Sequence, residues 1–420
     1  MKIVLLSMNF APELTGIGKY SGEMADALVE RGHEVTVVCA PPYYPQWRVP
    51  AGYSKSSYRT EQPRPGLTVV RCPVWIPERL SGLKRLMHLA SFAFTSFPVL
   101  MRLVLWRPDV VFVVAPALFS APAGWLTARL SGAKAWLHVQ DLEVDAAFEL
   151  GLLKGALLRR IVQGAERLLM RGFDVVSTIS RRMLRQVASK GVELERTELI
   201  PNWIDLQDIR PAGCSLALRE SLGIAPDQFV GLFSGTINRK QGLGVVIDAA
   251  RLLRDQSEVV LVICGNGELR GGLEADAADL RNVRFLDLRP ATEFNALLNM
   301  ADVHLLPQLQ GAADLVMPSK LTGMLASGRP VIAAAFPGTE IATVVQGRGL
   351  VSEPESATAL AAAIRELLAD VSRRLAMGAA ARDFAERTLN SRVLFDRLDQ
   401  RLLELCDAQV PLAATPNVVR

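Results

Sequence analysis

The feature that most restricts the fold is an alternation of short Val/Ile/Leu-rich runs with longer stretches of helical period. The runs lie at 2–8, 34–40, 109–114, 134–139 and 174–179, then at 229–234, 259–264, 283–288, 303–307 and 330–335. Helical patterns stand between them, such as Tyr20 to Arg31, stopped by Gly32, and Val245 to Arg254. Strands apolar on both faces, each followed by a helix, specify a parallel sheet covered on both sides. The alternation pauses at Ile200-Pro201-Asn202-Trp203-Ile204-Asp205 and restarts near Phe229. The expected fold is therefore α/β, with two doubly wound Rossmann-like domains at 1–203 and 204–390. Residues 391–420, with a helical stretch from Ser391 to Cys406, are expected to pack back on the first domain. Ligands of such sheets sit at the carboxyl ends of the strands, so the two domains are expected to clasp a substrate across a cleft.

Half of the 420 residues are hydrophobic and 21% are charged, which suits two or three packed domains and excludes a disordered or collagen-like chain. The five cysteines (Cys39, Cys72, Cys214, Cys264, Cys406) are scattered without metal-ligand spacing, as expected of reduced thiols in a cytoplasmic protein. The opening run Ile3-Val4-Leu5-Leu6 gives way to Asn9-Phe10-Ala11-Pro12 too soon for a secretory leader, which needs roughly 7–15 apolar residues. No run is expected to span a bilayer. Residues 1–203 carry a net +8 and the remainder −4. A basic first half fits either plain solvated surface or a face turned toward anionic lipid or phosphate.

Chemistry-bearing residues cluster where strands end. The first strand runs into Glu13-Leu14-Thr15-Gly16-Ile17-Gly18-Lys19, where Gly16 and Gly18 permit either a tight turn or close approach of a phosphate or sugar. The strand at 229–234 meets Gly235-Thr236-Ile237-Asn238-Arg239-Lys240-Gln241-Gly242, in which two adjacent cations suit a diphosphate. The next strand ends in Gly265-Asn266-Gly267, glycines that admit a flat ring or a close backbone contact. Ser319 and Lys320 stand at a helix start, which fits either an N-cap beside an incidental lysine or a site where hydroxyl, free amides and cation hold an anion. The strand at 134–139 contains His138 and is followed by Gln140 and Asp141. A carboxylate placed like Asp141 can orient an incoming hydroxyl or accept its proton.

The four histidines are isolated and no Asp-x-Asp follows a strand, so no metal site is expected. A Gly-x-Ser-x-Gly elbow is also missing, which disfavours a serine hydrolase. Residues 79–107 pair an apolar run, Leu86 to Met101, with Arg79, Lys84, Arg85, Arg102, Trp106 and Arg107. The run reads as too short to span, with a kink at Pro98, and suits a membrane surface in preference to a buried core helix with solvated flanks. A second basic stretch, 151–190, has nine Lys or Arg against Glu166 and Asp174.

Taken together, Asn9 to Tyr20, Ala40-Pro41-Pro42-Tyr43-Tyr44-Pro45, His138-Val139-Gln140-Asp141, Lys240-Gln241-Gly242-Leu243 and Pro318-Ser319-Lys320-Leu321-Thr322 resemble the colanic-acid biosynthesis glycosyltransferases of glycosyltransferase family 4. The resemblance runs through nearly the whole chain. It implies a GT-B fold, a nucleotide-sugar donor (GDP-L-fucose for the colanic-acid group) and transfer with retention. It also implies that neither metal nor other cofactor is bound and that no nucleic acid is a partner. The acceptor it implies is an undecaprenyl-diphosphate-linked saccharide of exopolysaccharide assembly, at the inner face of the cytoplasmic membrane.

By position, the resemblance implies that Gly16 and Gly18 line the donor phosphate or acceptor side. Arg239 and Lys240 would neutralise the leaving diphosphate. Gly235, Gly265, Asn266, Gly267 and Leu288 would border the nucleotide, and Ser319 and Lys320 would complete the anion site. His138 and Gln140 would lie on the acceptor side. Two positions depart from the family pattern. Many members carry two glutamates where this chain has Leu315 and Gly323, leaving Asp314 as the nearest carboxylate, and many have His where this chain has Gln140. Asp141 is then the expected catalytic carboxylate. The rival classes are a nucleotide-sugar epimerase, which needs no lipid acceptor, and a non-catalytic saccharide-binding subunit.

Overall fold

The apolar runs become strands almost residue for residue. A computed structural model of the chain describes residues 1–78, 82–115, 119–142, 144, 155–309 and 318–407. Its first half comprises β1 (Lys2–Ser7), α1 (Gly16–Glu30), β2 (Glu34–Cys39), β3 (Arg59–Arg64), β4 (Leu67–Arg71), α2 (Gly82–Val104) and β5 (Val110–Ala115). It continues with α3 (Ala121–Ser131), β6 (Lys134–Val139), α4 (Ala156–Gly172), β7 (Val175–Thr178), α5 (Arg181–Ser189) and β8 (Thr197–Leu199). The strands form one sheet in the order β3-β4-β2-β1-β5-β6-β7-β8. Every pairing is parallel except β3 with β4. The order reverses direction between β1 and β5, a topological switch point.

The second half comprises α6 (Leu216–Ser221), β9 (Phe229–Ser234), α7 (Gly244–Leu252), β10 (Val259–Cys264), α8 (Arg270–Asp276), β11 (Val283–Leu286), α9 (Ala291–Asn299) and β12 (Val303–Leu306). After these come α10 (Lys320–Ala326), β13 (Val331–Ala334), α11 (Glu340–Val345), β14 (Gly349–Ser352), α12 (Ala357–Ala369), α13 (Val371–Phe384) and α14 (Ser391–Cys406). Here the sheet is wholly parallel, in the order β11-β10-β9-β12-β13-β14, with its switch point between β9 and β12. Alternate residues of β9 and β10 feed two separate cores. Phe229, Phe233, Val259, Leu261 and Ile263 enter one; Val230, Leu232, Val260, Val262 and Cys264 enter the other. That is why these strands are apolar at every position. Both halves are thus the expected Rossmann-like domains.

The chain divides into two compact units, Met1–Ile200 with Val393–Arg420, and Pro201–Arg392. Most of α14 thus belongs to the first unit. It lies along the N-terminal ends of that unit's strands: Asp399 reaches His33 Nε2 at 2.5 Å, Asp396 reaches Arg31 at 2.5 Å, and Cys406 Sγ lies 4.0 Å from the Asp109 carbonyl. Arg401 pairs with Glu198 of β8 at 2.8 Å, and Leu394, Leu398 and Leu402 are buried at helical spacing.

Two expectations are corrected. The first sheet is not purely parallel, because Arg-Thr-Glu-Gln-Pro-Arg forms the antiparallel edge strand β3. That polar, mostly exposed segment carries no apolar signal, and a proline such as Pro63 is tolerated only at such an edge. The apolar run before residue 107 is also neither short nor broken. α2 continues through Pro98 for 23 residues and is long and apolar enough, by length and composition, to cross a bilayer. Its buried side, with His88, Leu89, Phe92, Ser96 and Leu100, packs into the first unit, while Leu83, Met87, Phe94 and Phe97 are exposed.

Candidate active site

In the second unit the candidate residues gather at the carboxyl end of the sheet, around the switch point between β9 and β12. β9 ends at Ser234, and Gly235 to Gly242 then loop over the strand ends, with Arg239–Gln241 forming one short turn. Arg239 and Lys240 are exposed on that turn. Lys320, the first residue of α10, extends to the same loop. Its Nζ donates to Gln241 Oε1 at 2.5 Å and lies 4.3 Å from the centroid of the Phe233 ring. A Cβ placed on Gly235 would stand 3.0 Å from that ammonium. Burial against apolar atoms holds the Lys320 pKa down to about 7. The structure therefore brings Lys320 Nζ to the loop that carries Arg239 and Lys240.

The Gly265-Asn266-Gly267 turn meets this loop backbone to backbone. A Cβ on Gly265 would fall 1.9 Å from the Gly235 carbonyl oxygen, and one on Gly267 would fall 2.0 Å from that of Ile237. The Ile237 N–H donates to the Asn266 carbonyl at 2.9 Å. These glycines thus lie in close contact with the chain's own backbone. Arg270, which the sequence reading passed over, fastens the turn. Its guanidinium bonds the Gly265 carbonyl at 3.0 Å, Asn266 Oδ1 at 2.5 Å and Glu274 at 2.8 Å, and it also pairs with Asp287 beyond β11. A lone arginine opening a helix straight after Gly-x-Gly was the signal that could have found it.

Leu288 stands 58% exposed just past β11, an apolar surface at the mouth of this turn. Ser319 caps α10 by position but makes no side-chain cap bond and is exposed. Asp314 and Leu315 lie outside the described residues. Gly323 is buried, and a Cβ there would meet Leu298 and Phe294 at 3.5 and 3.6 Å, an apolar surrounding in place of the family's second glutamate.

In the first unit the loop after β1 is organised by a carboxylate that the sequence reading did not weigh. Glu13 is 5% exposed; its Oε1 accepts the N–H groups of Tyr43 and Tyr44, each at 2.9 Å, and its Oε2 accepts from Asn9 at 2.9 Å. Burial raises its pKa, while these hydrogen bonds and the nearby Arg71 charge pull it back. Gly18 makes the arrangement possible, because a Cβ there would lie 2.5 Å from Glu13 Oε2. The space at Gly18 is thus filled by the chain's own carboxylate. Gly16 opens α1 with φ +61°, and the Tyr44 ring approaches to 3.8 Å of its would-be Cβ.

His138 lies inside β6 as a buried, hydrogen-bonded residue. It is 2% exposed, its Nδ1 bonds Ser177 Oγ at 2.9 Å, and its Nε2 faces the Gln140 amide at 3.2 Å. Desolvation lowers its pKa to about 4, so the ring is neutral at pH 7. Gln140, 6% exposed, is its inner neighbour, and Asp141 follows, partly exposed, at the carboxyl end of β6. Among the described residues no group of three or more His, Cys, Asp or Glu side chains could hold a metal ion.

Comparison with known proteins gives this geometry a family. The model for the glycosyl transferase 4-like domain matches residues 15–203, and that for glycosyl transferases group 1 matches residues 216–384. The chain is 43% identical over 401 residues, 93% of its length and 97% of the relative's, to the protein assigned as colanic acid biosynthesis glycosyl transferase WcaI of Escherichia coli strain K12. It is 28% identical over 91% of its length, and 93% of the relative's, to a GDP-mannose-dependent phosphatidylinositol monomannoside mannosyltransferase of Mycobacterium tuberculosis. Among solved structures, the sucrose-phosphate synthase of Thermosynechococcus elongatus superposes with a TM-score of 0.75 at 18% identity, over 97% of this chain and 100% of that one. With a 4-like domain on its first unit and a group 1 domain on its second, the chain belongs to the family of two-domain glycosyl transferases.

Proposed function

We propose that this glycosyltransferase moves a hexose, L-fucose from GDP-L-fucose, with retention and without a metal. The acceptor is an undecaprenyl-diphosphate-linked saccharide of exopolysaccharide assembly, at the inner face of the cytoplasmic membrane. The observation that carries the reading is the enclosed Lys320 ammonium beside the Arg239-Lys240 turn. As the glycosyl bond loosens, charge builds on the departing diphosphate, and preorganised cations there lower the barrier without reorganising. Asp141 is the carboxylate assigned to the incoming hydroxyl. The likeness to a colanic acid enzyme and to a GDP-mannose-dependent lipid glycosyltransferase supports the donor class and the lipid-linked acceptor.

Two surfaces of the first unit support work at a membrane. α2 exposes Leu83, Met87, Phe94 and Phe97. α4 exposes Leu157, Ile161 and Leu168 among Arg159, Arg160 and Arg167, an amphipathic basic pattern suited to an anionic interface. The test is transfer of label from GDP-L-fucose, against UDP-glucose and UDP-galactose, into a membrane-lipid extract with EDTA present. The expected result is labelled lipid from the GDP sugar alone, with the donor's anomeric configuration kept in the product. Label from a UDP sugar only, an inverted product, or epimerised donor with no transfer would overturn the reading.

A further inference from the structure

Exposed aromatic rings on loops are ordinarily mobile, and ordering them on binding a ligand costs entropy. Two such residues in the first unit have their backbones held in advance. Tyr44 and Trp75 are each 42% exposed. The Tyr44 N–H is held by buried Glu13 Oε1 at 2.9 Å. Trp75 is held at both its peptide groups: its N–H donates to Ser91 Oγ at 3.0 Å, and its carbonyl accepts from His88 Nδ1 at 2.6 Å. The two anchorages are one structure. His88 is 1% exposed, and its Nε2 meets the Tyr43 hydroxyl at 3.0 Å. Trp47, with φ +53°, closes over the pair, its ring 5.4 Å from that of Tyr43 and 5.2 Å from that of His88.

The position of this ledge is as informative as its rigidity. Tyr44 follows β2 and Trp75 follows β4, neighbouring parallel strands, so both residues stand at the carboxyl end of the first sheet, where ligands of such sheets sit. Tyr44 also packs beside Gly16, where the loop from β1 enters α1. Gln46 and Arg48, both exposed, supply hydrogen-bonding groups on the same turn. A flat ring with a negative π-face, flanked by polar side chains, complements the C–H face of a pyranose whose hydroxyls point outward.

We infer that Tyr44 and Trp75 form a saccharide-binding ledge that seats a pyranose ring of the acceptor, with Glu13 and His88 as the positioning residues that hold it. The inference rests on the proposed glycosyl transfer, but its test separates the two. Saturation-transfer NMR with methyl glycosides of glucose, galactose and fucose reads the ledge alone, and release of nucleoside diphosphate from nucleotide sugar reads the donor side alone.

With the full chain, at least one glycoside should receive saturation through its ring C–H protons. Tyr44→Ala and Trp75→Ala should each weaken that transfer about fivefold or more. Tyr44→Phe and Trp75→Phe, which keep a π-face, should retain it, and nucleoside diphosphate release should be unchanged in all four. Glu13→Ala should behave as Tyr44→Ala does, while Glu13→Gln, which can still accept both N–H groups, should behave as wild type. Glycoside binding by neither wild type nor variants, or equal binding by all, would overturn the inference. So would alanine variants that lose affinity for anionic vesicles yet bind glycosides normally, since the rings would then be membrane anchors. If no nucleotide sugar is cleaved, the transfer reading fails instead.

Discussion

At the scale of single residues, Lys320 carries the clearest physical signature. Its pKa of about 7 in the folded chain lies below its ordinary 10.5, so the free protein disfavours the charged form. The unfolded chain then binds more protons between those values. The Lys320 penalty on stability is therefore full below pH 7 and fades as pH rises toward 10.5. A bound diphosphate restores the charge. GDP binding at pH 8.5 should accordingly take up close to one proton. Calorimetry in two buffers of different ionisation enthalpy should detect this uptake in wild type and find it lost in Lys320→Met; equal uptake in both would assign the proton elsewhere.

His138 makes the opposite kind of statement. Its pKa of about 4 against the usual 6.5 means that acid must force a proton into the core. Its share of stability is complete above pH 6.5 and is lost on acidification toward pH 4, on the order of 3 kcal/mol. Trp136 donates to the same Ser177 hydroxyl at 2.8 Å. Urea midpoints followed by circular dichroism should fall across that window, and His138→Asn should flatten the fall; an unchanged slope would clear His138 of the effect. The sequence marked His138 as a residue inside a strand, and that alone argued for burial. Glu13 was illegible because nothing local tells a buried carboxylate from a solvated one. Its Tyr43 and Tyr44 partners lie 30 and 31 residues away in a second loop.

At the scale of elements, the apolar runs were legible because burial on two faces writes itself into consecutive residues. β3 was not, because an edge strand with a polar outward surface has no such constraint. The glycines of the second unit show the same divide. Gly265 is required by a carbonyl oxygen 1.9 Å from its would-be Cβ, whereas Gly272, inside α8, has nothing within 4 Å. Gly265→Ala should cost about 1–3 kcal/mol and weaken GDP binding with it. Gly272→Ala should add about 0.5–1 kcal/mol, since a helix interior gains from losing a glycine. Denaturant midpoints with unchanged slopes are the check, and equal effects from the two substitutions would contradict the packing described.

At the scale of the whole molecule, the two units differ in how the chain supplies them. Pro201–Arg392 is a single continuous stretch, while the first unit needs both Met1–Ile200 and the residues from Val393 onward. A 201–392 fragment should fold alone, show a cooperative thermal transition and be stabilised by GDP. A 1–200 fragment should be aggregation-prone and regain a cooperative transition when a 391–407 peptide is added. A soluble, cooperative 1–200 fragment would show α14 to be dispensable. Sequence pattern showed α14 to be helical, but only three-dimensional pairing, Asp399 with His33 and Arg401 with Glu198, shows where it belongs.

That pairing across some 360 positions has a consequence for synthesis. A ribosome must deliver all of the second sheet before the helix that lies along the strand ends of the first has been made. Throughout that interval the nascent amino-terminal half lacks the helix whose Leu394, Leu398 and Leu402 are buried in the folded chain, leaving apolar surface for chaperones to hold.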